Sequence, residues 1–464
     1  MCTQSYDVVV IGGGPGGYTA AAKASALGGN VALIEKKVLG GTCLNQGCIP
    51  TKTLLKSTEV LATIKKAKEF GIDVGAPELK PEKLIKRKNS IIKRLNTGVN
   101  HLMKSANVTV IAGEGKIIGQ NEVVVSGNNE RTVIKAGKII IASGSEPANL
   151  PGIKTDGVNI INSNQALEVS DVPSELLIIG GGAIGVEFAG IFNKLGSKVT
   201  LVEAFSRILP FADEEASSTL KQLLTREKIN ILTDAKVAEV NAAEDGQVVK
   251  IDTPKGEKEL KVDKILVAVG RRPNGEQMAE EDLGLAVERG RIVVNSKMET
   301  NISGIYAIGD VTGGILLAHV ASTEGIVAAV NAMGSEKDID YSVVPSCIYT
   351  SPELASVGLS ESQAAQQGIN VVIGKSQFIG SGKAVTMGEN KGLVKIVAEA
   401  DTGKILGMHI VGPQATSLIG EGALAVKLGA TVEDIADTIH AHPSLPETIM
   451  EAAENALQNW RVTN

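Results

Sequence analysis

Two short apolar runs set the pattern from which the chain is read. Tyr6-Asp-Val-Val-Val-Ile and Leu176-Leu-Ile-Ile are each β-rich, and each ends abruptly in a cluster of glycines. An apolar run of this length stopped by Gly predicts a strand that ends in a tight turn. In the first cluster Gly12, Gly14 and Gly17 are spaced as G-x-G-x-x-G, and Gly180, Gly182 and Gly185 repeat that spacing 168 residues later. An acid closes the next apolar run in each copy, Glu35 and Glu203, both 23 residues past the first glycine. The register holds between them: Leu27-Gly28 matches Leu195-Gly196, and Leu33 matches Leu201. An internal repeat therefore organises the front half of the chain. Further on, Ile49-Pro-Thr-Lys-Thr-Leu-Leu reads as a helix start, and Ser444-Leu-Pro-Glu447 reads as a capping box before a helix over 448–459.

The repeat points to chemistry. Glycine permits the tight turn and lets backbone N–H groups approach a pyrophosphate, which then lies at the positive end of the following helix. The acid at the end of the second strand accepts hydrogen bonds from the adenosine ribose. A single G-x-G-x-x-G is also compatible with a plain Gly-rich turn; two copies in register with matched acids imply two dinucleotides. At the second site the carboxylate of Glu203 repels the 2′-phosphate of NADP, and only Ala204-Phe205-Ser206 stands before Arg207, so NAD is favoured.

Composition narrows the setting. The chain has 464 residues, enough for about three folded units. With 52 Gly against six Phe, five Tyr and one Trp, the core must rest on aliphatic residues around many tight turns, which favours α/β. A net charge of −6 without a basic block beside aromatic residues argues against nucleic acid as a partner. No apolar stretch reaches the length of a membrane span, and no basic segment precedes the run at Val8 as a signal peptide requires. A cytoplasmic chain is expected.

Four cysteines are present, and Cys43 and Cys48 form a close pair. A zinc site needs about four ligands, whereas Cys2 and Cys347 are remote in sequence and no His-rich partner motif exists; no metal is expected. Two unrelated thiols remain an alternative. A redox disulfide fits best. In a regular helix an i,i+5 pair is separated by about 7.5 Å of rise, beyond a disulfide's span, so the turn between them must be distorted. A cysteine at a helix N-terminus also has its thiolate stabilised.

Gly40-Gly-Thr-Cys-Leu-Asn-Gln-Gly-Cys-Ile-Pro-Thr-Lys, taken with both nucleotide motifs, resembles the pyridine-nucleotide disulfide oxidoreductases, and in particular their branch that oxidises dihydrolipoyl groups. The likeness spans the chain through Ala142-Ser-Gly-Ser-Glu-Pro, Gly270-Arg-Arg-Pro-Asn, Ile305-Tyr-Ala-Ile-Gly-Asp310, Leu317-Ala-His and His440-Ala-His-Pro-Ser-Leu-Pro-Glu447. It implies an α/β fold with two Rossmann-like domains, one for FAD and one for NAD, and a C-terminal α+β dimerisation domain. The implied boundaries are 1–147 for FAD, 148–270 for NAD, 271–345 for a central return to the FAD side and 346–464 for the interface.

By the same resemblance, FAD contacts come from Gly12, Gly14, Gly17, Glu35, Thr42 and Lys52, and also from Gly115, Ser143, Gly144, Asp310 and Ala318. NAD contacts come from Gly180, Gly182, Gly185, Glu187, Glu203, Val237 and Gly270. Lys52 is expected near the flavin, paired with Glu187; its plainer reading is a surface lysine on a helix. Asp310 is expected on the ribityl chain; its plainer reading is a turn residue. His442 and Glu447 are implied as a base and its orienting carboxylate, reaching the disulfide from the second subunit of a homodimer. Read without the resemblance, Glu447 serves equally as the capping acid of its helix. His440, His319, His409 and His101 are weaker candidates for the base.

The implied activity is oxidation of dihydrolipoyl groups on a carrier protein, with electrons passing by Cys43–Cys48 and FAD to NAD+. The carrier belongs to a 2-oxoacid dehydrogenase, acetoin or glycine-cleavage complex, and the chain is expected to carry no lipoyl domain of its own before Met1. The alternatives are a glutathione-reductase-like enzyme, which favours NADPH and basic residues where Ala204-Phe205-Ser206 stands, and a non-catalytic FAD/NAD-binding subunit.

Overall fold

A computed structural model describes residues 4–127, 130–168 and 170–463, so Cys2 lies outside the described residues. The chain divides into two compact units, each assembled from three separate stretches. Met1–Thr53, Glu82–Ala148 and Gly270–Asp340 make the first, while Leu54–Pro81, Asn149–Val269 and Tyr341–Asn464 make the second.

The first unit is built on a seven-stranded sheet in which Ser5–Ile11 lies between Val31–Glu35 and Glu130–Ile141, pairing in parallel with both. Strand Ile305–Ala307 joins Glu130–Ile141 in parallel, and the antiparallel strands Glu122–Gly127 and Glu114–Gly119 extend the sheet. Alternation along the first strand explains its unbroken apolar run. Val8 and Val10 join one buried cluster with Ala20, Ala24 and Leu33, while Val9 and Ile11 join a second with Ile34, Ile139 and Ile141. A sheet covered on both faces needs apolar side chains at every position.

Small residues let the covering helices approach one another. Helix Pro15–Ala26 packs on Ala318–Ala332, and a Cβ at Gly325 would stand 2.5 Å from the Gly16 carbonyl oxygen. The abundant Gly and Ala, and the scarcity of aromatic rings, follow from such contacts.

The second unit contains a five-stranded parallel sheet, with Glu175–Ile179 between Lys198–Val202 and Lys264–Val267. A three-stranded antiparallel ribbon over Lys236–Ala243, Gly246–Thr253 and Gly256–Val262 accompanies it. Its C-terminal part is a five-stranded antiparallel sheet with Ile405–Gly412 and Leu393–Glu399 at the centre. Helix Glu447–Thr463 lies so close to strand Val371–Gln377 that a Cβ at Gly374 would meet the Ala452 carbonyl oxygen at 2.1 Å. Among the described residues no helix is long and apolar enough to cross a membrane.

Candidate active site

The first nucleotide motif closes as the spacing requires. Gly12 turns with φ +108°, a left-handed region that side chains rarely adopt, and a Cβ there would stand 2.2 Å from the Ala142 carbonyl oxygen. At Gly17 a Cβ would fall 1.8 Å from the Gly12 carbonyl oxygen. Gly14 caps helix Pro15–Ala26 with no side chain to satisfy its first N–H groups. Gly41, at φ +55°, presses against it: a Cβ on Gly41 would lie 2.6 Å from the Gly14 Cα. The resulting cradle exposes backbone donors, holds no acid in the helix's first turn and would be filled by any added carbon. It suits a dinucleotide pyrophosphate. Glu35 is braced at the strand end, with Oε2 accepting from Gly13 N at 2.8 Å and Oε1 from Lys37 N at 2.7 Å.

Cys43 and Cys48 stand on two different helices. Gly41–Gln46 carries the first, Cys48 opens helix Cys48–Lys65, and Gly47 breaks the path between them at φ −145°, ψ −107°. The distortion expected from the spacing is therefore a helix break. Gly47 also passes near the preceding helix, where a Cβ would meet the Thr42 carbonyl oxygen at 3.1 Å. The two cysteines are reduced, with no disulfide between them, and half-buried. A hydrogen bond with Cys48, reinforced by burial, holds the Cys43 thiol well above its ordinary range, while the charge of Lys52 pulls weakly the other way.

The structure adds a polar knot that sequence reasoning missed. The Arg271 guanidinium donates from Nε to Ser145 Oγ at 2.7 Å and from Nη2 to the Ser145 carbonyl at 2.7 Å and Thr42 Oγ1 at 3.4 Å. Ser145 Oγ in turn donates to Asp310 Oδ2, and Arg271 Nε lies 3.7 Å from the same oxygen. Burial lowers the Arg271 pKa, against the opposing pull of the Asp310 charge and of Cys48. By reciprocity the guanidinium favours negative charge at Cys48. Arg271 and Ser145 both lie inside motifs quoted from the sequence, yet nothing local shows that they meet.

The other first-unit candidates fall around this frame. Ser143 Oγ donates to the Asn274 carbonyl at 2.9 Å, and Gly144, at φ +70°, accepts from Asn274 N. Asp310 sits in a 3₁₀ turn whose Gly309 N–H is held by the buried carboxylate of Glu324 at 2.6 Å. Ala318 begins its helix without a capping side chain. A Cβ at Gly115 would meet Ile11 at 3.0 Å, behind the end of the first strand. Gly270, at φ +118°, accepts from Ala148 N.

In the second unit the motif is repeated nearly atom for atom. Gly180 turns at φ +110°, a Cβ at Gly185 would lie 1.9 Å from the Gly180 carbonyl oxygen, and Gly182 caps helix Ala183–Leu195 with no side chain. Glu203 accepts from Gly181 N at 2.5 Å and Phe205 N at 2.8 Å. Ala235 N donates to the Glu203 carbonyl, which leads the chain to Val237 at the start of the antiparallel ribbon. Glu187 is buried on the motif's helix and accepts from Tyr349 N at 3.0 Å.

His442 Nδ1 lies 2.8 Å from Glu447 Oε1, and Glu447 Oε2 accepts from Ser444 N at 2.6 Å. Only half of the expected capping box forms: Glu447 Oε2 takes the Ser444 N–H, but Ser444 Oγ is buried without a hydrogen-bond partner, while Oε1 faces His442. The Ser444 hydrogen bond, then His442, holds the Glu447 carboxyl below its usual range. The imidazole is largely exposed, with Nε2 facing away from its partner carboxylate. His440 instead pairs with Glu421 at 3.0 Å, while His409 is buried.

Residues 6–325 match the family model for pyridine nucleotide-disulphide oxidoreductases, and residues 344–453 match that family's dimerisation domain. The chain belongs to this family. It is 44% identical to a dihydrolipoyl dehydrogenase of Bacillus subtilis, with 98% of each chain covered, and 45% identical to one of Thermus scotoductus, with 97% of each covered. Among solved structures it is similar to LpdA of Mycobacterium tuberculosis, with a TM-score of 0.90 at 27% identity, covering 97% of this chain and 99% of that one.

Proposed function

We propose that this flavoenzyme oxidises dihydrolipoyl groups on a carrier protein to lipoyl, passing electrons through Cys43 and Cys48 and FAD to NAD+. The observation that carries the reading is the thiol pair placed across a helix break, in the same unit as the FAD cradle. Near-full-length relatives named dihydrolipoyl dehydrogenase support the choice of substrate.

In this reading Gly12, Gly14 and Gly17 hold the FAD pyrophosphate, Glu35 the adenosine ribose and Asp310 the ribityl chain, with Thr42, Lys52, Gly115, Ser143, Gly144 and Ala318 lining the rest. Gly180, Gly182, Gly185, Glu203 and Val237 receive NAD+, with Glu187 and Gly270 beside them. Bound FAD supplies the two-electron acceptor between the dithiol and NAD+. Residues 1–147, 148–270, 271–345 and 346–464 then serve as FAD, NAD, central and interface segments.

His442 takes the proton from one dihydrolipoyl thiol through Nε2, since Glu447 occupies Nδ1 and stabilises the imidazolium that forms. The resulting thiolate attacks Sγ of Cys43 in the oxidised pair; the Cys43–Cys48 bond breaks and Cys48 leaves as the thiolate. The second lipoyl thiol then displaces Cys43, its proton passing to the departing Cys43 sulfur; this closes the lipoyl disulfide and leaves Cys43 as the thiol and Cys48 as the thiolate. The charge of Arg271 favours the thiolate at Cys48. In a homodimer the His442–Glu447 pair of one subunit serves the cysteines of the other. The carrier is the lipoyl protein of a 2-oxoacid dehydrogenase, acetoin or glycine-cleavage complex.

The test compares turnover with lipoamide, glutathione disulfide and NADPH in one purified yellow preparation. NADH-linked lipoamide turnover should dominate, and Cys43→Ser should abolish it while the bound flavin stays reducible by NADH. Unchanged lipoamide turnover in that variant sinks the assignment, and a colourless protein refutes FAD.

A further inference from the structure

Lys395 occupies a central strand of the C-terminal sheet, where its neighbours Val394 and Ile396 are core residues, yet its ammonium group is almost wholly buried. Nζ lies 3.1 Å from Asp213 Oδ2, 2.8 Å from Glu361 Oε2 and 3.4 Å from Glu215 Oε2. Asp213 is as deeply buried as the lysine. Also buried here is His409, whose Nε2 lies 3.1 Å from the Leu359 carbonyl and whose Nδ1 meets no hydrogen-bond partner. Burial lowers the His409 pKa, and Lys395 is the cationic group in direct hydrogen-bonded contact with Asp213.

A buried ion pair is a poor source of stability, because well-packed apolar residues do as well or better. Its place in the chain suggests another role. Asp213 ends the loop that begins after Glu203 and caps helix Glu214–Arg226 through Oδ1, accepting from Glu215 N and Ala216 N. Within that helix Ser217 Oγ holds the Ile208 carbonyl at 2.6 Å. The next residue, Leu209, donates its N–H to the Gly181 carbonyl at 2.8 Å, inside the second glycine turn. Gly181 N in turn holds Glu203. A continuous series of short contacts thus runs from the buried lysine to the carboxylate that receives the ribose.

We propose that Lys395 is a positioning residue for NAD+: by anchoring Asp213 it fixes the 204–213 loop and, through Leu209, the Gly181–Glu203 geometry on which dinucleotide affinity depends. The proposal rests on the reading of the second motif as the NAD+ site. Lys395 acts through the carboxylates that hold it, so its effect falls on NAD+ binding and leaves the flavin and the thiol pair alone.

Calorimetric titration of the yellow holoenzyme with NAD+ tests this, using Lys395→Met, Asp213→Asn and the double variant beside the wild type. Asp213→Asn retains the capping oxygen and removes only the charge. Each single variant should weaken NAD+ roughly tenfold, the size of effect exerted by residues that act on a site from outside it, with flavin content unchanged. Lys395→Met leaves Asp213 buried without its counterion and should lower the melting temperature; the double variant should regain that stability without regaining NAD+ affinity. A general loss of stability would instead return both together, which overturns the proposal. So does affinity within twofold of wild type in Asp213→Asn, a variant that keeps the test open should Lys395→Met fail to fold. A wild-type holoenzyme that binds no NAD+ defeats the site reading and the proposal with it, whereas normal wild-type binding with unaltered variants defeats the proposal alone.

Discussion

At Gly12 the backbone turns with φ +108° and at Gly180 with φ +110°, and the acids Glu35 and Glu203 are braced by backbone N–H groups at equivalent positions, Gly13 and Lys37 in one and Gly181 and Phe205 in the other. Beyond that shared frame the two regions diverge. Gly14 is met by the left-handed turn at Gly40 and Gly41, which leads directly into the cysteine pair, whereas the space around Gly182 is open within 4 Å of where a Cβ would stand. After Glu35 the chain proceeds to the redox helices; after Glu203 it proceeds to the exposed ring of Phe205 and the anchored loop ending at Asp213. One local solution for binding a pyrophosphate is thus set in two surroundings. Under the proposed assignment the first copy holds the resident FAD and the second the NAD+ that exchanges on each turnover.

The largest expected effect breaks the two copies separately. Gly17→Ala places a carbon 1.8 Å from a backbone oxygen and should yield colourless protein, while Gly185→Ala, with the same collision at 1.9 Å, should stay yellow and lose NAD+ affinity roughly a hundredfold. Absorbance and calorimetry read the two outcomes, and a yellow Gly17→Ala protein would invert the assignment of the copies.

Arg271→Met comes next. Removing the guanidinium should raise the pH at which the reduced pair gains a thiolate, so alkylation by iodoacetamide should shift to higher pH; an unmoved profile means that Arg271 acts only on Asp310 and Ser145. The sign follows from the charges, since a cation favours the thiolate and its loss favours the thiol. A smaller effect is expected from Glu203→Gln, which keeps one acceptor and loses the charge. NAD+ should weaken about tenfold, as for a hydrogen bond to a charged group, with the preference over NADP+ narrowed. Glu35→Gln should leave flavin content unchanged, because a resident dinucleotide is held by the whole enclosed cradle; flavin loss there would show that the two acids carry equal weight. Steady-state NAD+ and NADP+ kinetics and flavin absorbance measure the pair.

Much of this was legible because it is local. The continuous apolar run from Val8 to Ile11 reports a strand covered on both faces, and the glycine spacing reports backbone angles that other residues cannot adopt without strain. The i,i+5 spacing of the cysteines announced a distorted turn, and Gly47 provides it. Glu447 shows where local reading reaches its limit. A capping box and an orienting carboxylate call for the same residue at the same place, and only the side-chain geometry shows that one oxygen faces His442 while the other takes the Ser444 N–H, with Ser444 Oγ left out of the box. The Arg271 knot was less legible still, since Thr42 and Arg271 lie 229 residues apart.

By itself the sequence determined where the chain must turn, where two glycine turns lay backbone N–H groups open at helix starts, and that Cys43 and Cys48 stand close together. Each of those depends on a few neighbouring residues and on sterics that act over one peptide. The tertiary structure alone decided which charges stand together, Arg271 with Asp310 and Lys395 with Asp213, and how far each is shielded from water. Electrostatic energy depends on separation and burial, and folding creates both between residues with no sequence proximity to announce them.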